Sequence, residues 1–146
     1  MTDAASPRGR VLALDLGDAR IGVAISDPDR RLAVPLGTIH VGSPPGELKA
    51  VARIVADDGV VLVVVGHPLH LSGERGASAT HAEEFADALR AFLDTPVVLH
   101  DERLSTVEAE RALREAGVTG SKRRRSIDRS AATVILQSFL DTHATR

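Results

Sequence analysis

The 146-residue sequence contains no cysteine, tryptophan or tyrosine, and only three phenylalanines. Without cysteine the chain has neither a disulfide framework nor a thiolate metal site. The scarcity of aromatic side chains excludes the base-stacking platforms with which many proteins hold single strands of nucleic acid. The hydrophobic core must therefore be built from valine, leucine, isoleucine and alanine.

Long apolar segments are also missing. No run approaches the length of a transmembrane helix, and the N-terminal residues MTDAASPRGR contain no apolar signal segment. We therefore expect a cytoplasmic protein with no membrane association. The length predicts one domain over residues 9–143, preceded by a disordered N-terminal tail over residues 1–8.

The charges are unevenly distributed along the chain. The formal net charge of −2 argues against a general nucleic-acid-binding protein. However, residues 81–110 are strongly acidic, while residues 121–130, SKRRRSIDRS, are basic. This asymmetry is compatible with a basic contact surface beside an acidic site that collects cations, and equally with a solvated surface loop.

Hydrophobic patterning predicts a β-meander followed by alternating helices and strands. The first three strands are predicted in RVLALDLG, RIGVAISD and RLAVPLGTIHV. Pro35 within the third strand favours a sheet edge or a bulge. Two further strands are predicted in the apolar segments VVLVVVG and TPVVLHDE. This order of elements predicts an α/β fold in which helices cover both faces of a mixed sheet.

Four helices are predicted from apolar spacing and from their start signals. The first covers SPPGELKAVARIVADDG. The second and third begin at capping boxes, Thr80–Glu83 and Ser105–Glu108. The last covers roughly Ile127–Thr142, with a small and apolar stripe toward the core.

Three acidic residues lie at the ends of predicted elements. Asp15 ends the first strand, Glu102 follows the strand PVVLH, and Asp128 opens the last helix. Ligands gather at strand ends in α/β sheets, and crowded carboxylates repel one another unless a cation lies between them. Such hard oxygen ligands suit Mg²⁺ or Mn²⁺, which in pairs activate water and stabilise the leaving oxygen of a phosphodiester.

Each of these carboxylates also has a purely structural explanation. Asp15 could make the turn after the first strand, and Glu102 could form a surface pair with Arg103 or with another neighbour. Asp128 could stabilise the first turn of a helix through the helix dipole. No single acid is specific for a metal site, and the combination of the three carries the metal-site hypothesis.

The neighbouring glycines and histidines also allow two explanations. Gly17 and Gly22 either form a tight turn or leave space for a phosphate beside Asp15. His67 and His70 in GHPLHLSG have no third nitrogen or sulfur ligand nearby in the sequence. We therefore interpret them as loop histidines rather than as a transition-metal site.

Four segments follow one another along the chain and are informative as a set: ALDLGDARIGVAISD, GHPLHLSG, DERLSTVEA and KRRRSIDRSAATVILQSFLD. They resemble the YqgF family, also called RuvX, described as Holliday junction resolvases or pre-16S rRNA nucleases. The resemblance covers about residues 9–141. It implies an RNase H-like fold, an α/β architecture with a five-stranded mixed sheet of order 3-2-1-4-5 flanked by helices.

The resemblance also implies the positions of the site residues. Acidic residues of the first strand, the fourth strand and the last helix form a two-metal nuclease site in that fold, and the matching positions are Asp15, Glu102 and Asp128. Asp101 would point to the opposite side of the strand. The expected contacts with nucleic acid, or with the acids themselves, come from the matching segments: Gly17, Arg20, Arg103, Ser105, Lys122, Arg123, Arg124 and Arg125.

The implied function is a metal-dependent endonuclease with Mg²⁺ or Mn²⁺ as cofactor. Its partner would be an rRNA precursor, cut at the 5′ end of 16S rRNA, or branched DNA, for which a two-fold homodimer would be favoured. One alternative is a non-catalytic nucleic-acid-binding or transcription factor with this fold. Another is an actin-like ATPase or sugar kinase, which needs two such domains. His70 stands where the family commonly has Asn, which changes the polarity of that loop.

Overall fold

The structure is a computed structural model that describes residues 9–42, 45–105 and 130–143. Within these ranges one sheet has the strand order β3-β2-β1-β4-β5, which confirms the expected order. The first three strands form an antiparallel meander, and the last two run parallel to the first. The strands are β1 (Arg10–Leu16), β2 (Arg20–Ser26), β3 (Ala33–His40), β4 (Val60–His67) and β5 (Val97–Asp101).

Three helices of the described residues cover the two faces of this sheet. Helices α1 (Gly46–Asp58) and α2 (Ala77–Phe92) pack on one face, and α3 (Ala131–Thr142) packs on the other. The side chains of each strand alternate between the two cores because successive residues of a strand point to opposite faces. Leu14 thus packs toward α1 and α2, whereas Ala13 packs toward α3.

The two strands with the clearest sequence signals are placed as predicted. The apolar run of β4 is buried on both faces, since Val65 lies in one core and Val64 in the other. Strand β3 lies at the edge of the sheet, where a proline is tolerated because one side of the strand has no neighbouring strand. The β2–β3 register also shifts between Val23 and Ala24, so Pro35 lies beside a bulge as well.

Helix α2 begins one turn earlier than predicted. Its first residue is Ala77, Gly76 precedes it with extended backbone, and no side chain caps it. The Thr80 hydroxyl instead donates to Gly76 O at 3.2 Å from inside the helix. The Thr80–Glu83 capping box is therefore wrong. The earlier start extends the apolar stripe to Ala79, which is fully buried.

Helix α3 begins at Ala131 rather than at Ile127. Ser130 has extended backbone, and its hydroxyl oxygen accepts a hydrogen bond from Thr133 N at 3.0 Å, as an N-cap residue does. The predicted apolar stripe of this helix does face the core, and Ile135 is among its fully buried residues. Several expectations lie outside the described residues: the tail 1–8, the Ser105–Glu108 helix, Lys122–Arg125 and Asp128.

None of the helices within the described ranges is long and apolar enough to cross a membrane.

Candidate active site

Asp15 lies inside β1, directly opposite Gly22 on β2. A side-chain carbon added to Gly22 would lie 3.7 Å from Asp15 Cβ and 3.6 Å from Ala132 Cβ of α3. Asp15 therefore faces α3. Because it is paired within the strand, the explanation of Asp15 as a turn-making residue is wrong, and Gly22 is likewise a strand residue rather than a turn residue.

The turn between β1 and β2 depends on Gly17. Its N–H donates to Arg20 O at 2.9 Å, and an added Cβ would lie 2.7 Å from that same oxygen. The turn explanation of Gly17 is therefore supported, and its contact with nucleic acid stays a prediction. Arg20 is exposed at the start of β2, and strand alternation places its side chain on the α3 side with Gly22.

Glu102 is the buried acid of the site. It opens a short 3₁₀ turn (Glu102–Leu104) after β5 and is only 2% exposed. A Cβ added to Gly66 of β4 would fall 2.7 Å from Glu102 Oε2 and 2.8 Å from Ile135 Cδ1 of α3. The Glu102 carboxylate thus lies over Gly66 on the α3 side of the sheet, the side to which Asp15 also points.

The 3₁₀ turn that carries Glu102 is closed by its neighbours. Asp101 Oδ1 accepts a hydrogen bond from Arg103 N at 2.8 Å at the start of the turn. At its end, the backbone N–H and hydroxyl of Ser105 both donate to Glu102 O, at 3.1 and 2.9 Å. These bonds tie Ser105 to the backbone of Glu102, and its role in orienting the acid stays a prediction.

The same turn is joined to helix α3. The Ser138 hydroxyl of α3 donates to Leu104 O at 2.9 Å, and its oxygen lies 3.0 Å from His100 Nε2. The His100 ring is 3% exposed and meets Phe139 edge-on. Burial lowers the pKa of His100, because it disfavours the charged form, and nearby His143 adds to that effect.

Arg103 is paired with Asp101 instead of Glu102. Its Nε and Nη2 reach both carboxylate oxygens, the shortest contact being 2.7 Å. This ion pair lowers the pKa of Asp101 below its ordinary value of 3.8 and raises that of Arg103. The explanation of Glu102 as a surface partner of Arg103 is therefore wrong, and the positive charge of Arg103 is already compensated within the protein.

Asp101 and Glu102 lie on opposite sides of the sheet, as expected. Asp101 is in register with His67 of β4, whose Nε2 lies 2.7 Å from Glu83 Oε2 of α2. Arg75 also pairs with Glu83 and is the largest cause of the lowered pKa of that carboxyl, followed by His67. The interpretation as loop histidines is therefore wrong for His67, which ends β4 and pairs with α2, and it is confirmed for His70.

A cleft of about 750 Å³ opens in front of the two acids. Asp15 and Glu102 line it together with Pro68–His70, with Gly76 before α2, and with the first residues of that helix. The His70 imidazole packs closely over Gly76, since an added Cβ there would lie 2.8 Å from Nε2. His70, which differs from the family pattern, is therefore part of the cleft wall.

The donor set in this cleft suits a hard divalent cation. Two carboxylates face the same side of the sheet, and such oxygen ligands are those preferred by Mg²⁺ and Mn²⁺. The burial of Glu102 strengthens its attraction for a cation because few water molecules screen it. Among the described residues no three suitable side chains form a metal-binding group, and the third expected ligand, Asp128, lies outside them.

Comparison with known proteins identifies the family. The family RuvX, described as Holliday junction resolvase, matches residues 9–142. The chain belongs to the RuvX family. A relative from Chloroflexus aggregans is 49% identical over 131 residues, which are 90% of this RuvX chain and 92% of the relative. A relative from Mycobacterium tuberculosis is 50% identical over 135 residues, which are 92% and 79% of the two chains. Both relatives carry the name "Putative pre-16S rRNA nuclease".

A solved structure confirms the RNase H-like fold of this RuvX chain. T. thermophilus RuvC in complex with Holliday junction substrate superposes with a TM-score of 0.52 at 16% sequence identity. The superposition covers 94% of this chain and 97% of that chain. At this level of identity the similarity concerns the fold alone.

Several residues that shape the site carry no recognisable signal in the sequence. Gly66 appeared only as the end of an apolar run, and Ser138 only as a polar position of the last helix. Gly76 gave no signal beyond its place in a polar loop. Their roles depend on contacts with Glu102, Leu104 and His70, which the local pattern does not encode.

Proposed function

We propose that this RuvX-family protein is a divalent-metal-dependent endonuclease that cuts structured nucleic acid, with the 5′ end of pre-16S rRNA as its substrate. One observation carries the proposal: Asp15 and Glu102, which are distant in sequence, line one cleft from the same side of the sheet. The name given to the relatives from C. aggregans and M. tuberculosis supports the choice of substrate.

In this proposal Asp15, Glu102 and Asp128 hold Mg²⁺ or Mn²⁺. When bound, the ions activate water and neutralise charge on the leaving oxygen. The protein contributes fixed positions for the carboxylates: Asp15 is held by its pairing with Gly22, and Glu102 by its turn and by its packing over Gly66. Charged groups that are already in place need little reorganisation during the reaction.

The nucleic acid would be held through its backbone phosphates. Arg20 and Lys122–Arg125 are the proposed contacts, which give affinity that depends on salt and little on sequence. Gly17 would allow the close approach of a phosphate to the turn after β1. Arg103 and Ser105 are proposed to orient the acid site, because their observed bonds are to Asp101 and to Glu102 O.

A second candidate function is resolution of four-way DNA junctions. The description of the family that matches residues 9–142, Holliday junction resolvase, favours it. A junction is symmetric, so a resolvase would act as a homodimer that presents two clefts related by a two-fold axis. A monomer in solution, with or without junction DNA, would argue against this candidate.

Cleavage of two labelled substrates, a 16S rRNA precursor end and a four-way DNA junction, tests the proposal with Mn²⁺ or Mg²⁺ present. We expect cleavage of the rRNA precursor, reduced by about 100-fold or more in Asp15→Asn and Glu102→Gln, since even outer-shell changes cost 10–100-fold. Asp57→Asn, an exposed change on α1, should cut like the unaltered protein.

Each other outcome has a distinct meaning. Preference for the junction would support the resolvase function. Binding of both substrates without cleavage, at any divalent-metal concentration, would contradict the nuclease proposal and favour a non-catalytic binding factor. Cleavage that survives chelation of metal ions or the loss of both acids would contradict the assignment of the site.

A further inference from the structure

We infer that Ser138 is a positioning residue for Glu102 and that His100 holds the Ser138 hydroxyl in its donor role. The inference rests on the proposed function, because it assumes that Glu102 binds a metal ion. Ser138 lies on α3, and its hydroxyl donates to Leu104 O, the carbonyl at the end of the turn that begins with Glu102. It is 34 residues from Leu104 in sequence.

The direction of these hydrogen bonds follows from counting protons. A serine hydroxyl has one proton, and a carbonyl oxygen only accepts. The Ser138 proton is therefore used by Leu104 O at 2.9 Å. His100 Nε2, at 3.0 Å from the same Ser138 oxygen, must then carry a hydrogen and donate it. The chain of hydrogen bonds therefore runs from His100 through Ser138 to Leu104 O, and successive bonds of this kind strengthen one another.

The Ser138 bond differs in kind from the other bonds of the turn. Ser105 and Asp101 close the turn from within the same segment of chain. Ser138 instead ties it to α3, a helix that is distant in sequence and packs on one face of the sheet. Because the turn is only three residues long, a shift of Leu104 also moves Glu102.

Helix α3 also lies beside the two strand glycines that neighbour the acids. Ala132 lies beside Gly22, next to Asp15, and Ile135 approaches Gly66, over which Glu102 lies. Together with Ser138 these residues are spaced three apart, so they form one oblique row along the helix. The geometry points to α3 as the common support that sets Glu102 relative to Asp15, with Ser138 as its polar attachment.

The test compares three variants of the full chain by Mn²⁺ binding in a calorimeter. Ser138→Ala removes the donor, Ser138→Thr keeps a hydroxyl, and Thr142→Ala removes a hydroxyl from an exposed position of the same helix. We expect about tenfold weaker Mn²⁺ binding in Ser138→Ala, as for other second-layer contacts of metal sites. The other two variants should bind like the unaltered protein.

Two further measurements separate positioning from general stability. The Mn²⁺ concentration for half-maximal cleavage should rise about tenfold in Ser138→Ala, while kcat at saturating Mn²⁺ changes little. In ¹⁵N NMR of the unaltered chain, the neutral His100 ring should carry its proton on Nε2. In Ser138→Ala this preference should weaken, because the accepting hydroxyl oxygen is gone.

Equal Mn²⁺ affinity in Ser138→Ala and the unaltered protein would overturn the inference. An equal decrease in all three variants would also overturn it, because that would indicate a loosened α3. A neutral His100 ring protonated on Nδ1 in the unaltered chain would overturn it as well. The NMR result needs no variant, so it decides even if Ser138→Thr fails to pack. If the unaltered chain neither binds Mn²⁺ nor cuts, the proposed function fails, and the inference fails with it.

Discussion

The carboxylate of Glu102 lies over Gly66 and occupies space that a side chain at Gly66 would need. A methyl group at Gly66 would lie 2.7 Å from Glu102 Oε2 and 2.8 Å from Ile135 Cδ1, both closer than normal van der Waals contact. Glu102 therefore occupies its buried position because β4 has no side chain at this point. The glycine that ends the apolar run is part of the acid site.

Gly66→Ala is expected to disturb both stability and activity. Added volume in a packed site costs about 1–3 kcal/mol, measured as the change in the free energy of unfolding by urea. The displaced Glu102 should also lower Mn²⁺-dependent cleavage by about tenfold or more. Gly42→Ala is the matched control, since an added Cβ there meets nothing within 4 Å. Unchanged cleavage in Gly66→Ala would show that the close packing of Glu102 is unimportant for the reaction.

Asp101→Asn is expected to strengthen binding to nucleic acid at low salt. Asn still caps the 3₁₀ turn, but it no longer neutralises Arg103, whose charge becomes available to a phosphate. The slope of log affinity against log salt should steepen by up to about 1. Asp87→Asn removes the partner of Arg90, and neither residue lines the cleft, so this variant should have a smaller effect. Equal effects of the two variants would mean that only net charge matters.

Glu83→Gln is expected to reduce the dependence of stability on acid pH. Because Arg75 and His67 lower the pKa of Glu83 below 4.5, its ion pairs stabilise the folded protein above that value. This contribution disappears as the pH falls through the lower, folded-state pKa. Urea unfolding between about pH 5 and pH 3 should therefore show a flatter profile in Glu83→Gln. The exposed neighbour Glu84 provides the control, Glu84→Gln, whose profile should match the unaltered protein.

Arg124→Gln tests the proposed interaction between the basic segment and the nucleic-acid backbone. Removing one positive charge that neutralises a phosphate should weaken binding to all sequences alike and reduce the salt slope by about 1. Filter binding at several salt concentrations measures both quantities. Arg53→Gln changes an exposed arginine of α1 and should leave the slope unchanged. A sequence-selective decrease of affinity in Arg124→Gln would contradict a purely electrostatic interaction.

Local patterns predicted the strands well and the helix starts poorly. The continuous apolar run of β4 and Pro35 of β3 each have a direct physical consequence for where a strand lies in a sheet. The capping box at Thr80 is a weaker signal, because burial of Ala79 favours a helix that begins one turn earlier. The predicted start of the last helix at Ile127 was too early, because Ser130, which lies inside the predicted segment, is the N-cap residue.

The sequence by itself determined the order of the elements and the identity of two acids that the fold brings to one side of the sheet. Apolar residues recur about every 2 residues in a strand and every 3.6 residues in a helix, and this spacing can be read directly from the sequence. Only the tertiary structure decided that Arg103 pairs with Asp101, that Gly66 makes room for Glu102, and that Ser138 supports the turn. These interactions depend on how β4, β5 and α3 pack together, and no local pattern specifies that packing.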